Sequence, residues 1–307
     1  MIICCGEALI DMLPRQLEDG SEVLLPVPGG AIYNTAIALG RLGEKSGFFS
    51  GLSTDLFGEK LTEALVASNV DFQYAVRSDL PTTLAFVKLT NGQAQYTFYD
   101  ENTAGRMITE SDIPDFGDEV TALHFGTISL ISEPCGTAFE VLMKREHKNR
   151  VMSFDPNIRI SFIRDEMVHR ARMMRMIAMS DIIKVSDEDF DWLVPSGSFE
   201  QSAKSWIENG ASVVVFTMGA EGCRIVTAHH DITVSVQKMQ VVDTVGAGDS
   251  FDGGLLAGLN KAGALSKSSL RDLDEKTLRV ALQMATKVAG ISVTRAGANS
   301  PWLEELN

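Results

Sequence analysis

Short apolar stretches alternate along this chain with longer segments of helical periodicity, and that alternation limits the possible fold more than any other feature. The stretches are apolar on both faces, as is typical of strands that helices cover on two sides. They span residues 1–5, 47–52, 122–130, 150–154, 181–185 and 212–217. Repeated strand–helix units predict an α/β fold, a doubly wound and mostly parallel sheet flanked by helices. In such sheets, ligands bind at the carboxyl ends of the strands.

One region departs from this alternation. Residues 82–90 and 93–100 flank Asn91-Gly92, a dipeptide that favours a two-residue hairpin turn. Residues 22–27 and 71–76 also have a strand pattern. These pieces lack the intervening helices that a parallel core requires, so we expect them to form a small antiparallel sheet of their own.

The predicted domain organisation is a single domain over residues 1–307. Its small sheet, drawn from about 14–28 and 71–106, is expected to act as a lid over the carboxyl ends of the main strands. An isolated small sheet leaves one apolar face uncovered. Phe86, Tyr96 and Phe98 therefore predict a homodimer formed through the lid sheet.

The charge balance limits the partners of the chain. Its 27 Lys and Arg residues face 41 Asp and Glu residues, giving a formal net charge of -14, which opposes binding to nucleic acid or an anionic membrane. A phosphate would have to be held by backbone dipoles, a metal ion and a few local cations. No apolar run approaches the ~20 residues that span a bilayer. The four cysteines have no CxxC spacing and predict buried, reduced thiols in a cytoplasmic protein.

The most informative motif is the segment DTVGAGDSF at 243–251, which precedes an apolar helical run. The small residues Gly246, Ala247 and Gly248 leave backbone N–H groups bare at a helix start, where the helix dipole also favours an anion. Asp249 would repel that anion, so a role as proton-abstracting base beside a transferring phosphate explains the pairing. Taken alone, the motif also fits a glycine-rich turn with Asp249 as a helix cap.

A second glycine motif lies upstream and opens the first long helix. Gly29 and Gly30 let a ligand approach the backbone, and Asn34 offers a donor and an acceptor one turn later. Asp11 follows the first strand, where a carboxylate suits a polyhydroxyl ligand, although a solvated loop aspartate is the simpler interpretation of that residue alone. A dinucleotide site is disfavoured because Gly6-Glu7-Ala8, rather than GxGxxG, follows the first strand.

Further polar motifs follow the later strands, at 155–159 (DPNIR), 184–189 (KVSDED) and 217–222 (TMGAEG). Together with the two glycine motifs, they resemble the ribokinase-like (PfkB) carbohydrate kinases over essentially the whole chain. The resemblance implies a phosphotransferase that uses ATP, Mg2+ and K+ and acts on the alcohol group of a sugar.

The resemblance also implies roles for individual residues. Asp249 matches the catalytic base, and the amides of Gly246, Ala247 and Gly248 match the anion hole. The sugar-binding positions are matched by Asp11, Gly29, Gly30 and Asn34. The nucleotide side is matched by Thr217, Gly219, Gly222, Lys184 and Ser186, and Arg159 matches an arginine on the substrate or phosphate side. The monovalent-cation loop is matched by Asp243, the backbone of Val245, Ser292, Gly297 and Ser300.

The chain departs from the family pattern at two places. Ser186 and Asp189 stand where the family often has Asn-x-x-Glu, and the shorter carboxylate of Asp189 is expected to order water bound to Mg2+. Val245 replaces a frequent threonine, a change that a backbone carbonyl ligand for the cation would survive.

Within the family, residues 98–106 and 123–129 are most similar to bacterial fructokinases, which implies conversion of fructose to fructose 6-phosphate. Arg106 leaves an alternative open, because an arginine in the sugar site would favour an acidic sugar such as 2-keto-3-deoxygluconate. Nucleoside kinases are a third option. A catalytically silent sugar- or nucleotide-binding regulator is a fourth, although it would be expected to lack the base or the anion-hole glycines that are present here.

Overall fold

The computed structural model describes residues 1–90, 93–236 and 239–306, so the predicted turn at Asn91-Gly92 lies outside the described residues. The strands, in chain order, are β1 (Ile2–Cys5), β2 (Leu9–Gln16), β3 (Glu22–Gly29), β4 (Ser46–Phe49), β5 (Gly51–Ser53), β6 (Val70–Asp71), β7 (Val76–Ser78), β8 (Leu84–Thr90), β9 (Gln93–Tyr99), β10 (Ala122–Gly126), β11 (Val151–Asp155), β12 (Ile182–Ser186), β13 (Val213–Thr217), β14 (Cys223–Val226) and β15 (Asp231–Val234). The α-helices are α1 (Ala31–Arg41), α2 (Leu56–Ala67), α3 (Cys135–Glu146), α4 (Glu166–Ile177), α5 (Asp187–Leu193), α6 (Phe199–Glu208), α7 (Ala247–Lys261), α8 (Lys267–Leu270) and α9 (Glu275–Ser292).

The central sheet has the strand order β15-β14-β13-β12-β11-β10-β1-β4-β6. Neighbouring strands from β6 across to β13 run parallel, and β14 and β15 add an antiparallel edge. The inner strands β1, β4, β10 and β11 are buried along their whole length because helices cover both sides of the sheet. The predicted doubly wound α/β fold is therefore confirmed.

Two apolar cores lie on opposite faces of this sheet. One packs α1, α7 and α9 against the sheet through residues such as Tyr33, Leu255 and Leu282. The other packs α3, α4 and α6 through residues such as Phe139 and Met173. All four cysteines are buried and unpaired, as predicted.

The second sheet, here called the lid sheet, has the order β3-β2-β8-β9. It contains two antiparallel pairs, β2 with β3 and β8 with β9, which are joined by parallel pairing of β2 with β8. The expected lid strand at 71–76 was wrong. Residues 70–71 follow α2 and pair parallel with β4 in the central sheet, while β7 pairs with β5. Helix α2 supplies the crossover that parallel pairing requires, so this segment continues the core.

The lid sheet does not leave Tyr96 and Phe98 uncovered. Tyr96 stacks on Phe98, whose ring centroid lies 4.7 Å from that of Phe162. The three rings pack against Leu9 and Ala85 of the lid sheet and Ile128 of the main domain. Phe86 contacts Tyr99 on the opposite face. Tyr96 and Phe98 are therefore partly covered within the chain, and exposed apolar side chains of the lid sheet lie at Tyr99 on β9 and at Val23, Leu24 and Leu25 on β3. The homodimer itself stays a prediction.

Among the described residues, no helix combines the length and the apolar character needed to cross a membrane.

Candidate active site

Most helices of the described chain begin at a side chain that closes their first turn. Aspartate or serine side chains accept bonds from the first backbone amides of α2, α4, α5, α6, α8 and α9. Helices α1 and α7 begin instead at glycines, Gly30 and Gly246, which have no side chain for this purpose. Uncapped amides at a helix start form a binding site for an anion or a polar ligand.

The start of α7 is shaped by close backbone packing. Gly246 has a φ of 74°, and a Cβ there would lie 2.5 Å from Cβ of Ala298, so only glycine fits. A Cβ at Gly248 would lie 3.1 Å from the ammonium nitrogen of Lys184. The turn at 246–248 therefore has a buried positive charge directly behind it, which adds to the field of the helix dipole.

Asp249 lies in the first turn of α7 and bonds to α1. The amide Nδ2 of Asn34 donates to Oδ2 of Asp249 at 2.8 Å, and the hydroxyl of Thr35 donates to the Asp249 backbone carbonyl at 3.3 Å. Burial raises the pKa of Asp249 to about 6, while Asn34, Arg159 and Lys184 favour its charged form. Asn34 and Asp249 are 215 positions apart in the sequence, and their bond brings the two glycine motifs together.

Asp11 lies on β2, the lid strand that continues from the end of β1. A Cβ at Gly29 would lie 2.2 Å from Oδ2 of Asp11, so the glycine makes room for this carboxylate. Burial, together with the charge of Asp249, raises the pKa of Asp11 to about 7. Gly30, with a φ of 106°, leaves its backbone against the carbonyl of Glu7.

A buried ion cluster lies beneath the turn at 246–248. Nζ of Lys184 is 2.8 Å from Oδ2 of Asp155 and 3.9 Å from Oδ2 of Asp252. Burial alone would lower the pKa of Lys184, but Asp155, Asp252 and Asp189 outweigh burial and raise it. Burial raises the pKa of Asp252 well above its usual value. Lys184, predicted on the nucleotide side, is thus held inside the protein.

Ser186 and Asp189 form a closed pair at the start of α5. The Ser186 hydroxyl donates to Oδ2 of Asp189 at 2.7 Å, and the backbone N–H of Ile158 donates to Oδ1 at 2.7 Å. Burial raises the pKa of Asp189. Within residues 1–90, 93–236 and 239–306, no group of three or more His, Cys, Asp or Glu side chains is arranged to hold a metal ion. Both carboxylate oxygens of Asp189 thus accept hydrogen bonds from the protein, and the predicted contact to Mg2+ through water stays a prediction.

The predicted nucleotide turn follows β13. The Thr217 hydroxyl lies 3.5 Å from the carbonyl of Val185. Gly219 has a φ of 52° and open space where a Cβ would stand, so its backbone is accessible. A Cβ at Gly222 would lie 2.1 Å from the carbonyl of Val234. Gly222 therefore fixes the bend into β14, and Gly219 leaves a face open to a ligand.

The two arginines differ in their surroundings. Arg159 is exposed, and its positive charge partly offsets the rise in the pKa of Asp249 that burial causes. Arg159 therefore lies at the edge of the site. Arg106 is held by Asp100 at 3.1 Å and by the carbonyl of Glu133 at 3.1 Å. No hydrogen bond among the described residues links Arg106 to Asp11 or Asn34.

The predicted cation loop is brought together from two segments. Asp243 accepts bonds from the backbone N–H of Val245 at 3.0 Å and of Gly297 at 2.9 Å. The hydroxyls of Ser300 and Ser250 lie 2.6 Å apart. Ser292 is fully buried, and its hydroxyl has no hydrogen-bond partner among the described residues.

Sequence reasoning missed Glu7, Asp155, Thr127 and Asp252 as residues of this region. Asp155 and Asp252 had detectable signals, since Asp155 opens the DPNIR motif and Asp252 follows Asp249 by one helical turn. Glu7 had none, because its partners at the start of α1 are set by the tertiary fold.

This geometry agrees with comparisons to known proteins. A family model described as pfkB family carbohydrate kinase matches residues 1–305. The chain belongs to this family. Over 279 residues it is 54% identical to a fructokinase of Rhizobium leguminosarum bv. trifolii, an alignment that covers 91% of this chain and 86% of the relative. The pfkB chain is accordingly a sugar phosphotransferase.

Solved structures of fructokinases are also similar to this chain. Fructokinase from Xylella fastidiosa with bound ATP superposes with a TM-score of 0.91 at 27% identity, covering 99% of this chain and 96% of that one. Fructokinase from Vibrio cholerae O395, solved with fructose, ADP and a calcium ion, gives a TM-score of 0.83 at 28% identity, covering 97% and 94%.

Proposed function

We propose that this protein is an ATP-dependent kinase that converts fructose to fructose 6-phosphate, with Asp249 as the general base. The bond between Asn34 and Asp249 carries the proposal, because it sets a buried carboxylate beside the uncapped amides of α7. A proton acceptor next to an anion-binding turn is the arrangement that phosphoryl transfer to an alcohol requires.

The proposed reaction uses this pairing directly. Asp249 accepts the proton of a sugar hydroxyl as the hydroxyl oxygen bonds to the terminal phosphorus of ATP, and the bond from that phosphorus to the bridging oxygen of ADP breaks. The amides of Gly246, Ala247 and Gly248 donate to the phosphoryl oxygens, where negative charge is concentrated. With a pKa of about 6, Asp249 is deprotonated at neutral pH and yet more basic than an ordinary aspartate.

The sugar is proposed to lie between the lid sheet and the start of α1. Asp11 and Asn34 would bind its hydroxyls, and Gly29 and Gly30 would admit it to the backbone. Tyr96 and Phe98, packed on Phe162, provide an apolar wall that limits water near the reacting atoms. Fructose is favoured because the relatives and structures named above are fructokinases, one of them solved with fructose.

The nucleotide is proposed to bind along the ends of β12 and β13. Gly219 and Thr217 would contact it, with Gly222 fixing the turn, and Arg159 would offset phosphate charge from the edge. Lys184 would act from behind Gly248, because its partner Asp155 holds it within the protein. Mg2+ would neutralise phosphate charge when bound, and Asp189 and Ser186 would hold its water shell.

The segment that joins Asp243 to Gly297 is proposed to bind K+. The carbonyl of Val245 and the buried hydroxyls of Ser292 and Ser300 would complete an oxygen-lined site behind the turn at 246–248. The exposed apolar residues of β3 are proposed to pair lid sheets in a homodimer, which sedimentation velocity would detect.

A panel of substrates tests the proposed function. ADP release is measured with fructose, ribose, 2-keto-3-deoxygluconate and nucleosides, and fructose is expected to give the highest kcat/KM. The acidic sugar is disfavoured because Arg106 already bonds to Asp100 and to the Glu133 carbonyl. Preference for 2-keto-3-deoxygluconate would overturn the choice of fructose, and no ADP release with any acceptor would favour a non-catalytic regulator.

A further inference from the structure

Glu7 closes the start of α1 from a position 24 residues earlier in the chain. Its Oε1 accepts a bond from the backbone N–H of Ala31 at 2.8 Å and from that of Ile32 at 3.3 Å. These are the amides that a glycine-led helix leaves open. A carboxylate from the end of β1 therefore occupies the place where an anion would otherwise bind.

Thr127 holds this carboxylate in place. Its hydroxyl donates to the same Oε1 at 3.2 Å, and its backbone N–H donates to the Pro156 carbonyl at 3.3 Å. Thr127 has a φ of 62°, a rare conformation for a β-branched residue that persists only where the surroundings impose it. The ends of β1, β10 and β11 thus converge on the start of α1.

The position of Glu7 is unfavourable for an ordinary structural residue. Glu7 is only 7% exposed, and its Oε2 has no hydrogen-bond partner within the described part of the chain. Burial raises its pKa to about 7, and the charge of Asp249 adds to the effect. A buried carboxylate with one oxygen unsatisfied lowers the stability of the fold, which indicates that Glu7 has a functional role.

A comparison of the starts of α1 and α7 indicates what that role is. Both helices begin at glycines, so neither has an N-cap residue whose own side chain could close its first turn, and the two helices are linked by the Asn34–Asp249 bond. Without Glu7, both would attract phosphate. With Glu7, only the start of α7 is open to it.

We propose that the Glu7 carboxyl group occupies the open amides of α1, so that phosphate binds only at α7 and no anion competes with an uncharged sugar beside α1. Glu7 is thus a positioning residue that sets specificity between two similar helix starts. The inference rests on the proposed function in assigning sugar to α1 and phosphate to α7.

Sulfate, a phosphate mimic of fixed charge, tests this inference on the full-length protein. Glu7→Ala frees the amides of Ala31 and Ile32, so ~20 mM sulfate should raise its Tm by about 3 °C more than that of the parent protein. Glu7→Gln is the matched variant, because its amide oxygen keeps those N–H groups occupied, and its Tm should respond to sulfate as the parent protein does.

A second control separates this site from any other helix start. Asp274→Ala removes the cap of α9 and frees the backbone N–H of Thr277. The start of α9 has no proposed role in sugar binding. In Glu7→Ala, the same sulfate concentration should raise the KM for the sugar about threefold with little change in kcat, whereas in Asp274→Ala and in the parent protein the KM should not respond.

The outcomes are decisive in either direction. An equal sulfate response in Glu7→Ala and the parent protein would overturn the inference, as would a Glu7→Ala protein that stays unfolded even with sulfate. Folding of Glu7→Ala only when sulfate is added would support it. The Tm comparison needs no turnover, so it remains readable if no sugar in the panel yields ADP, the result by which the proposed function itself would fail.

Discussion

The bond from Asn34 to Asp249 predicts a specific change in the pH dependence of the enzyme. Replacing Asn34 by leucine keeps the volume and the burial but removes the donor, so the charged form of Asp249 loses its partner. A hydrogen bond to a charged group contributes about 1.5–3 kcal/mol, and 1.36 kcal/mol corresponds to one pKa unit. The pKa of Asp249 should therefore rise from about 6 by about one to two units.

The assay is a pH profile of kcat/KM between about pH 5 and pH 9, followed by ADP release. A general base works only when deprotonated, so the rate of the parent enzyme should fall tenfold per pH unit below about 6. In Asn34→Leu, the same fall should begin about one to two units higher. The pKa of Asp11 is also raised, to about 7, and Asp11 can affect both profiles. The test is therefore the difference in pH between the acidic limbs of the parent and Asn34→Leu profiles.

Thr35→Val is the matched control for this prediction. Thr35 is the next residue on α1 and donates to the backbone carbonyl of Asp249, not to its carboxylate. Its removal should leave the acidic limb of the profile where it is in the parent enzyme. An unshifted limb in Asn34→Leu would show that Asp249 is not the group whose titration limits the rate, and the assignment of the base would fail.

Three further predictions follow from the same site. Asp249→Asn should lower kcat by about 10²–10⁴-fold while sugar affinity, measured by calorimetry, persists; near-normal turnover would contradict its role as base. Asp11→Ala should weaken sugar binding and raise KM more than it lowers kcat, and unchanged affinity would remove Asp11 from the sugar site. Lys184→Met should destabilise the fold by about 3–5 kcal/mol at pH 8, because it leaves Asp155 and Asp252 without a buried counter-charge. Because burial raises the pKa of Asp252, protonation of Asp252 removes the unpaired charge as the pH falls, and the loss should be smaller at pH 5 than at pH 8. Urea unfolding at both pH values measures this, and an equal loss at the two would contradict the assigned role of the buried charges.

Much of the fold could be predicted because its signals are local. Strands buried on both faces, such as β10 and β11, appear in the sequence as short, mainly apolar runs, and the helices between them follow from their spacing. The lid was harder to delimit. Residues 71–76 have a strand pattern like that of residues 22–27, and only the tertiary structure decides that β6 pairs with β4 in the central sheet and β7 with β5.

The candidate site was predictable where a motif carries its own chemistry. Asp249, Asn34 and the turn at 246–248 lie in segments whose small residues indicate a ligand site, and the structure brings them together. Glu7 and Thr127 were missed because their importance lies in contacts between distant segments, which no local pattern encodes. The shielding of Tyr96 and Phe98 was missed for the same reason, since Phe162 comes from another part of the chain.

Asp11 belongs to β2, a strand of the lid sheet, whereas Asn34 and Asp249 belong to helices anchored in the main core. The side chains proposed to bind the sugar are therefore divided between the lid sheet and the main domain. Any rotation of the lid sheet relative to the main domain moves Asp11 relative to Asn34 and Asp249. The measured Kd for the sugar therefore depends on how often the free protein holds the lid sheet in the binding orientation. A substitution on β3 that changes this population would alter the Kd without contacting the ligand.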